Sequence, residues 1–231
     1  MRPVLVGLII ALLSSLALAG GSDCPRAAWT PLLAQARVAV LRNDAAALRN
    51  FFQIVASRED LPGLSAEVKG LSRDPRLRTA KANPADVVVA GAGALGEIGE
   101  ACASCHRERK LNPTDEELAV PDVYDGAVAH MARHQWAVDR MWEGLVGPTD
   151  ARWALGVAAL HDHPLDAADL SASEDSKSPA DYLDWWIHKR GPDEALKAGP
   201  GQRGRIYGDL LGACAACHAG TPGGPGSTKV E

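Results

Sequence analysis

The sequence predicts an all-α protein built as two tandem antiparallel four-helix bundles, and three observations carry that expectation. Hydrophobic residues make up 46% of the chain but aromatics only 5%; the hydrophobic share is heavy in Ala, which with Leu is a strong helix former, and β-branched residues are sparse beyond the first twenty positions. The series Ala127, Met131, His134, Val138, Met141, Leu145 alternates spacings of four and three, the period of a bundle-facing helix, with Trp136 and Trp142 flanking it. The chain also repeats its own punctuation. Cys102-Ala103-Ser104-Cys105-His106 and Cys214-Ala215-Ala216-Cys217-His218 lie 112 positions apart, each at the end of a helical approach.

In chain order, residues 1–19 read as a secretory signal peptide. Arg2 supplies the charge, Val4 to Leu18 the apolar run, and Ala17-Leu18-Ala19 the small residues at the cleavage site. The run is shorter than the roughly 20 residues a membrane span needs. A lipoprotein reading on Cys24 is disfavoured, because Gly21-Ser22-Asp23 lacks the small apolar run such a site requires. No later segment reads as apolar enough to span a membrane. The mature protein is therefore expected in the periplasm, an oxidising compartment.

The first bundle is assigned to 20–110. Pro25 to Arg42 and Ala45 to Ser57 form a short-looped pair, a weaker third helix lies between Leu64 and Ala82, and the fourth starts after Pro84 and ends just past His106. Residues 111–120, with Pro113, read as a linker. The second bundle, 121–220, offers Val123 to Val146, Asp150 to His161, Pro179 to Lys189 and Gly201 to His218, with Asp150 and Ser178 at N-cap positions. Short connections imply antiparallel neighbours. The tail 221–231 reads as disordered. In register, Leu95, Ile98 and Cys102 match Tyr207, Leu210 and Cys214, and Asn43-Asp44-Ala45 answers Thr149-Asp150-Ala151.

The formal net charge of -5 excludes a simple nucleic-acid binder. Five cysteines in an exported protein first suggest disulfides. Four of them, however, form two C-x-x-C pairs, each followed at once by His. On a helix, residues i, i+3 and i+4 share a face, so Cys102, Cys105 and His106 project together, as do Cys214, Cys217 and His218. Two thiols there can add to the two vinyl groups of a haem while the adjacent imidazole meets the iron, which is the c-type attachment signature. A thioredoxin-like redox pair would need a βαβ pattern that is absent, and a shared zinc site would leave both histidines unexplained. Two haem c groups are the expected cofactors, with His106 and His218 as proximal iron ligands.

A motif near the end of the last of four helices resembles the class II cytochromes c, the cytochrome c-prime type. The resemblance covers the exported chain as two units and is strongest at GEACASCHRER and GACAACHAG. It implies an antiparallel four-helix bundle with the haem on its C-terminal helix. The second half also resembles small bundle cytochromes whose first helix carries a Met and a His one turn apart, here Met131 and His134.

The start of the first helix of a bundle lies beside the end of the fourth, so the sixth iron ligand is sought there. In the second half that region offers His130, Met131 and His134; Met131 and His134 share the inward stripe, and both can equally be core residues. Met141 lies roughly 15 Å further along the axis. His161 and His163 are secondary candidates, with a solvated helix end as the simpler reading, and His188, beside Lys189 and Arg190, reads as solvated. In the first half the register puts Cys24, Pro25 and Ala28 opposite His130, Met131 and His134, so its haem is expected to lack a Met or His from its own first helix. Any of the basic residues Arg73, Arg76, Arg78, Lys81, Arg203 and Arg205 could pair with haem propionates, and they read more simply as solvated faces.

Electron transfer is the expected function, with two haems in adjacent bundles forming a short wire and redox proteins as partners. No catalytic acid–base pair is visible and no enzyme activity is expected. The alternatives are gas binding or sensing at a five-coordinate haem, which the resemblance allows, and a dihaem peroxidase, disfavoured because those enzymes are longer. A homodimer is compatible with the sequence.

Overall fold

Strong helix formers and closely spaced breaks give helices and nothing else among the described residues, which in this computed structural model are 26–57, 66–79, 81–111, 127–161 and 179–220. The expected signal segment, Cys24, Pro25, the linker from 112 onward, His163, the Ser178 cap and the 221–231 tail lie outside them.

Helices α1 (Arg26–Leu41) and α2 (Ala45–Ser57) form the expected hairpin. The turn between them needs a residue at positive φ, and Asn43 supplies it at φ 55°, a conformation that Asn tolerates better than most side chains. Asp44 then caps α2, accepting a hydrogen bond from the Ala47 N–H. The weak third helix resolves into two short ones, α3 (Ala66–Leu71) and α4 (Pro75–Arg78), divided where Asp74 caps α4 and Pro75 opens it. Asn83 and Pro84 start α5 (Pro84–Glu108) in the same way.

In the second half, α6 (Ala127–Val146) and α7 (Asp150–His161) form an antiparallel hairpin. It closes tightly because Gly144 lies against the backbone of Trp153, and Gly156 against Ala137 and Met141. Of the amphipathic stripe, Val138, Met141 and Leu145 are buried. Asp150 opens α7, and its carboxylate pairs with Arg203.

The following helix does not stop at Lys189 as expected. It runs through α8 (Pro179–Trp185), a π-turn at Trp186–Arg190 and α9 (Gly191–Lys197). A proline in a regular helix removes one hydrogen bond and clashes with the carbonyl four residues back. The wider π-turn, closed by Gly191 N–H to Trp186 O, admits Pro192 at the start of α9. Trp153 pins this extension to α7, its indole N–H donating to Ala195 O at 2.8 Å. The last helix is α10 (Arg203–Gly220).

The two helices that carry the C-x-x-C-H motifs, α5 and α10, pack on each other along their length. They are antiparallel. A Cβ on Gly96 would stand 2.0 Å from Gly204 O and 3.1 Å from Gly208 N, while one on Gly208 would stand 2.9 Å from Ala92 O. Gly96 and Gly208 are equivalent positions of the repeat, so the crossing relates the halves by an approximate two-fold exchange. Glu100 ties its lower end: its carboxylate accepts from Gly201 N at 2.8 Å and Gly204 N at 3.2 Å, at the positive end of α10. The halves are thus intimately packed, with α1 and α6 each lying against both α5 and α10.

By composition and length α5 is the one described helix that could cross a membrane, contrary to the expectation that no such segment follows the N-terminus. In the fold 61% of that stretch is buried, as befits a core helix. Where α1, α6 and α10 meet, Arg37 pairs with Asp139 at 2.9 Å, donates to the Tyr207 hydroxyl at 3.3 Å and covers the Trp142 ring. Burial pushes the Tyr207 phenol up to about 12.

Candidate functional site

Antiparallel packing of α5 and α10 sends the two motifs to opposite ends of the pair. At 1.5 Å per residue from the glycine crossing, His106 and His218 are roughly 30 Å apart along it. The two motifs therefore do not lie side by side, because the helices that carry them pack antiparallel.

Both motif histidines are held in the same way, and each by the opposite half. His106 Nδ1 lies 2.7 Å from Val146 O, the last residue of α6, and His218 Nδ1 lies 2.9 Å from Leu41 O, the last residue of α1. A carbonyl can only accept, so Nδ1 carries the proton in both rings and Nε2 presents its lone pair. That is the tautomer a metal-ligating imidazole needs, with its orientation fixed from behind. Asn43, in the turn after α1, adds a second tie by donating to Ala215 O at 2.8 Å, inside the second motif.

Around the second motif lies a cavity of about 330 Å³. Cys214 and His218 line it from α10, Met131, His134 and Val138 from α6, and Val38 and Leu41 from α1. Met131 and His134, the two residues singled out from the stripe, therefore stand at the same opening as the motif. Burial, followed by the neighbouring Cys217, pushes the Cys214 thiol up to about 12. A thiol–disulfide catalyst needs a lowered pKa, so this setting opposes that chemistry. No disulfide joins the four described cysteines. At the first motif Cys102 and Cys105 are part-buried and His106 is buried. The side chain of Ala28 lies outside the described residues there, as does Pro25.

His134 is not oriented towards the cavity alone. Its Nε2 lies 3.1 Å from His188 Nε2, and the His130 ring centroid is 4.2 Å from that of His134 and 5.1 Å from that of His188. His188, expected to be solvated at a helix end, is 1% exposed. The end is not there, because the π-turn carries the helix on, and its Nδ1 is held by Leu160 O. Burial first, then the adjacent His130, His188, His218 and Arg133, holds the His134 imidazole well below the usual histidine range, so it stays neutral. The spacing of His130 and His134, one turn apart on one face, was the available sequence signal for this cluster. The third member, His188, comes from a helix that the π-turn at Trp186–Arg190 carries past its expected end.

Arg203 also departs from expectation. It is buried against Trp153 with its guanidinium 5.3 Å from the ring centroid, and it pairs with Asp150. Arg205 and Arg76 stay exposed in local pairs with Asp209 and Asp74. His161 is half-exposed, 4.0 Å from Asp193. In comparisons with known proteins, no family model, curated protein or solved structure matches this chain.

Proposed function

We propose that this chain is an exported dihaem c-type cytochrome that carries electrons, with each half furnishing a bundle of the cytochrome c-prime kind. Cys102 and Cys105 would hold one haem and Cys214 and Cys217 the other, with His106 and His218 as proximal ligands. The observation that carries the reading is the paired anchoring of His106 and His218 through Nδ1 to helix-end carbonyls, which leaves both Nε2 atoms available for iron. The residues present fit such a group at the second motif. Cys214 and His218 border a cavity with apolar walls from Val38, Leu41 and Val138, and Met131 offers a soft thioether at the same opening.

A bound haem supplies one-electron chemistry at its iron. The chain's part is to fix the proximal imidazoles, exclude water and choose the sixth ligand. Met131 is the better candidate for that ligand at the second site, because the His134 Nε2 is engaged with His188. A Met131 thioether together with His218 would favour the reduced state of a group held there and hence a higher potential. The first half has Cys24, Pro25 and Ala28 at the positions matching His130, Met131 and His134, so its own first helix brings no Met or His, and unless the Cys24 thiolate takes the place its haem would be open to small gases such as carbon monoxide. Placed at opposite ends of α5 and α10, the two groups would each exchange electrons with redox proteins on its own face.

The test is the mass of the protein expressed with its leader in a host competent for cytochrome maturation. After acid–acetone extraction the polypeptide should retain the added weight of two haems. Material of bare polypeptide mass would end the proposal.

A further inference from the structure

We infer that His130, His134 and His188 form a binding site for a divalent transition-metal ion of the zinc and copper class, separate from the iron sites. One nitrogen from each ring comes within 4.8 Å of the other two. Three imidazoles that surround one ion at the usual metal–nitrogen distance of about 2.0–2.1 Å place their nitrogens roughly 3.3 Å apart in tetrahedral geometry. The His134–His188 separation of 3.1 Å already meets this, and small rotations of the other ring complete it.

The surroundings prepare the nitrogens. His188 is buried, and because Leu160 O can only accept from its Nδ1, its Nε2 faces the cluster as a lone pair. A backbone carbonyl behind a metal-ligating histidine is the common second-sphere arrangement. His134, whose Nε2 faces His188 Nε2, needs only to carry its proton on Nδ1 instead to present a second lone pair. Asp184 contributes negative charge beside the site, its carboxylate 3.4 Å from His188 Nε2. The neighbouring Arg133 guanidinium is directed at Ala159 O, where its Nε donates at 3.0 Å.

Three histidines leave a fourth position for water or another ligand. Imidazole sets of this kind favour zinc, copper or nickel over magnesium or calcium, which prefer oxygen. Because α6 carries both Met131 and two of the three histidines, an ion here would brace the wall of the cavity that adjoins the second motif.

The experiment uses the full-length mature protein, stripped with chelator and titrated with zinc chloride by calorimetry, with zinc per chain counted by elemental analysis. One zinc per chain is expected, with binding weakened at least tenfold in His130→Gln and in His134→Gln and retained in His161→Gln. If His188→Gln does not fold, the His130 variant decides. Absence of stoichiometric zinc, or affinity equal to the parent's in the His130 and His134 variants, overturns the inference. Haem content is read separately by intact mass, so failure of the cytochrome reading and failure of this site are distinguishable.

Discussion

Replacing Gly96 by Ala tests the crossing on which the placement of both motifs depends. The added Cβ would meet Gly204 O at 2.0 Å and its carbonyl carbon at 2.9 Å. Ordinary carbon–oxygen contacts lie near 3.3 Å, and both obstructing atoms are backbone, so no side chain can turn aside. The helices must separate by about 1 Å, opening contacts along the pair. Overpacking of this kind costs about 3 kcal/mol at its upper range. Alanine returns about 1 kcal/mol through its better helix propensity, which leaves a net loss of about 2 kcal/mol. Gly93→Ala is the matched control: it is three residues away on the same helix, exposed, and a Cβ there meets nothing within 4 Å. That variant should gain about 0.5–1 kcal/mol from propensity alone. Urea denaturation of each protein, followed by far-ultraviolet circular dichroism, reads the difference as a shift in midpoint. If Gly96→Ala is as stable as Gly93→Ala, the close antiparallel crossing of α5 and α10 is wrong, and with it the separation of the motifs.

Two further substitutions address the ends of that pair. Glu100→Ala removes the carboxylate that accepts from Gly201 and Gly204; a loss of about 1–2 kcal/mol is expected, with faster amide exchange at those two residues, and unchanged exchange would show that the cap is idle. Met131→Leu keeps the apolar volume but removes the thioether beside Cys214 and His218. The haem-loaded variant should lose its methionine-to-iron charge-transfer absorption, show a lower potential at one haem and bind carbon monoxide there; spectra identical to those of the parent would exclude Met131 as a ligand.

The helical class was legible because it rests on local information. Asp44, Asn83 and Pro84 punctuate the chain as their chemistry requires, and the stripe through Val138, Met141 and Leu145 faces the core as its period dictates. Both motifs, and the company of Met131 and His134 with the second, follow from the same periodicity. What periodicity does not encode is how one helix meets another far away in sequence. Gly96, Gly204 and Gly208 read as ordinary glycines of low helix propensity; only their mutual contact shows them to be the surface on which the halves cross. The burial of His188 was hidden for a different reason. Lys189-Arg190-Gly191-Pro192 has every mark of a helix end, and a single widened turn overrides it. The burial of Arg203 is not legible locally, because its partners, Asp150 and Trp153, come from α7, some fifty positions earlier.

The carbonyls of Leu41 and Val146 give the chain a property that neither half has alone. Each imidazole is steadied by an acceptor from the other half of the chain, so a half-length polypeptide would lack the backing for its own motif histidine. Two such copies, associated about the same axis, would supply it to one another. The two stretches of chain therefore depend on each other through these contacts, and cutting between residues 112 and 126 would turn an intramolecular requirement into a concentration-dependent one.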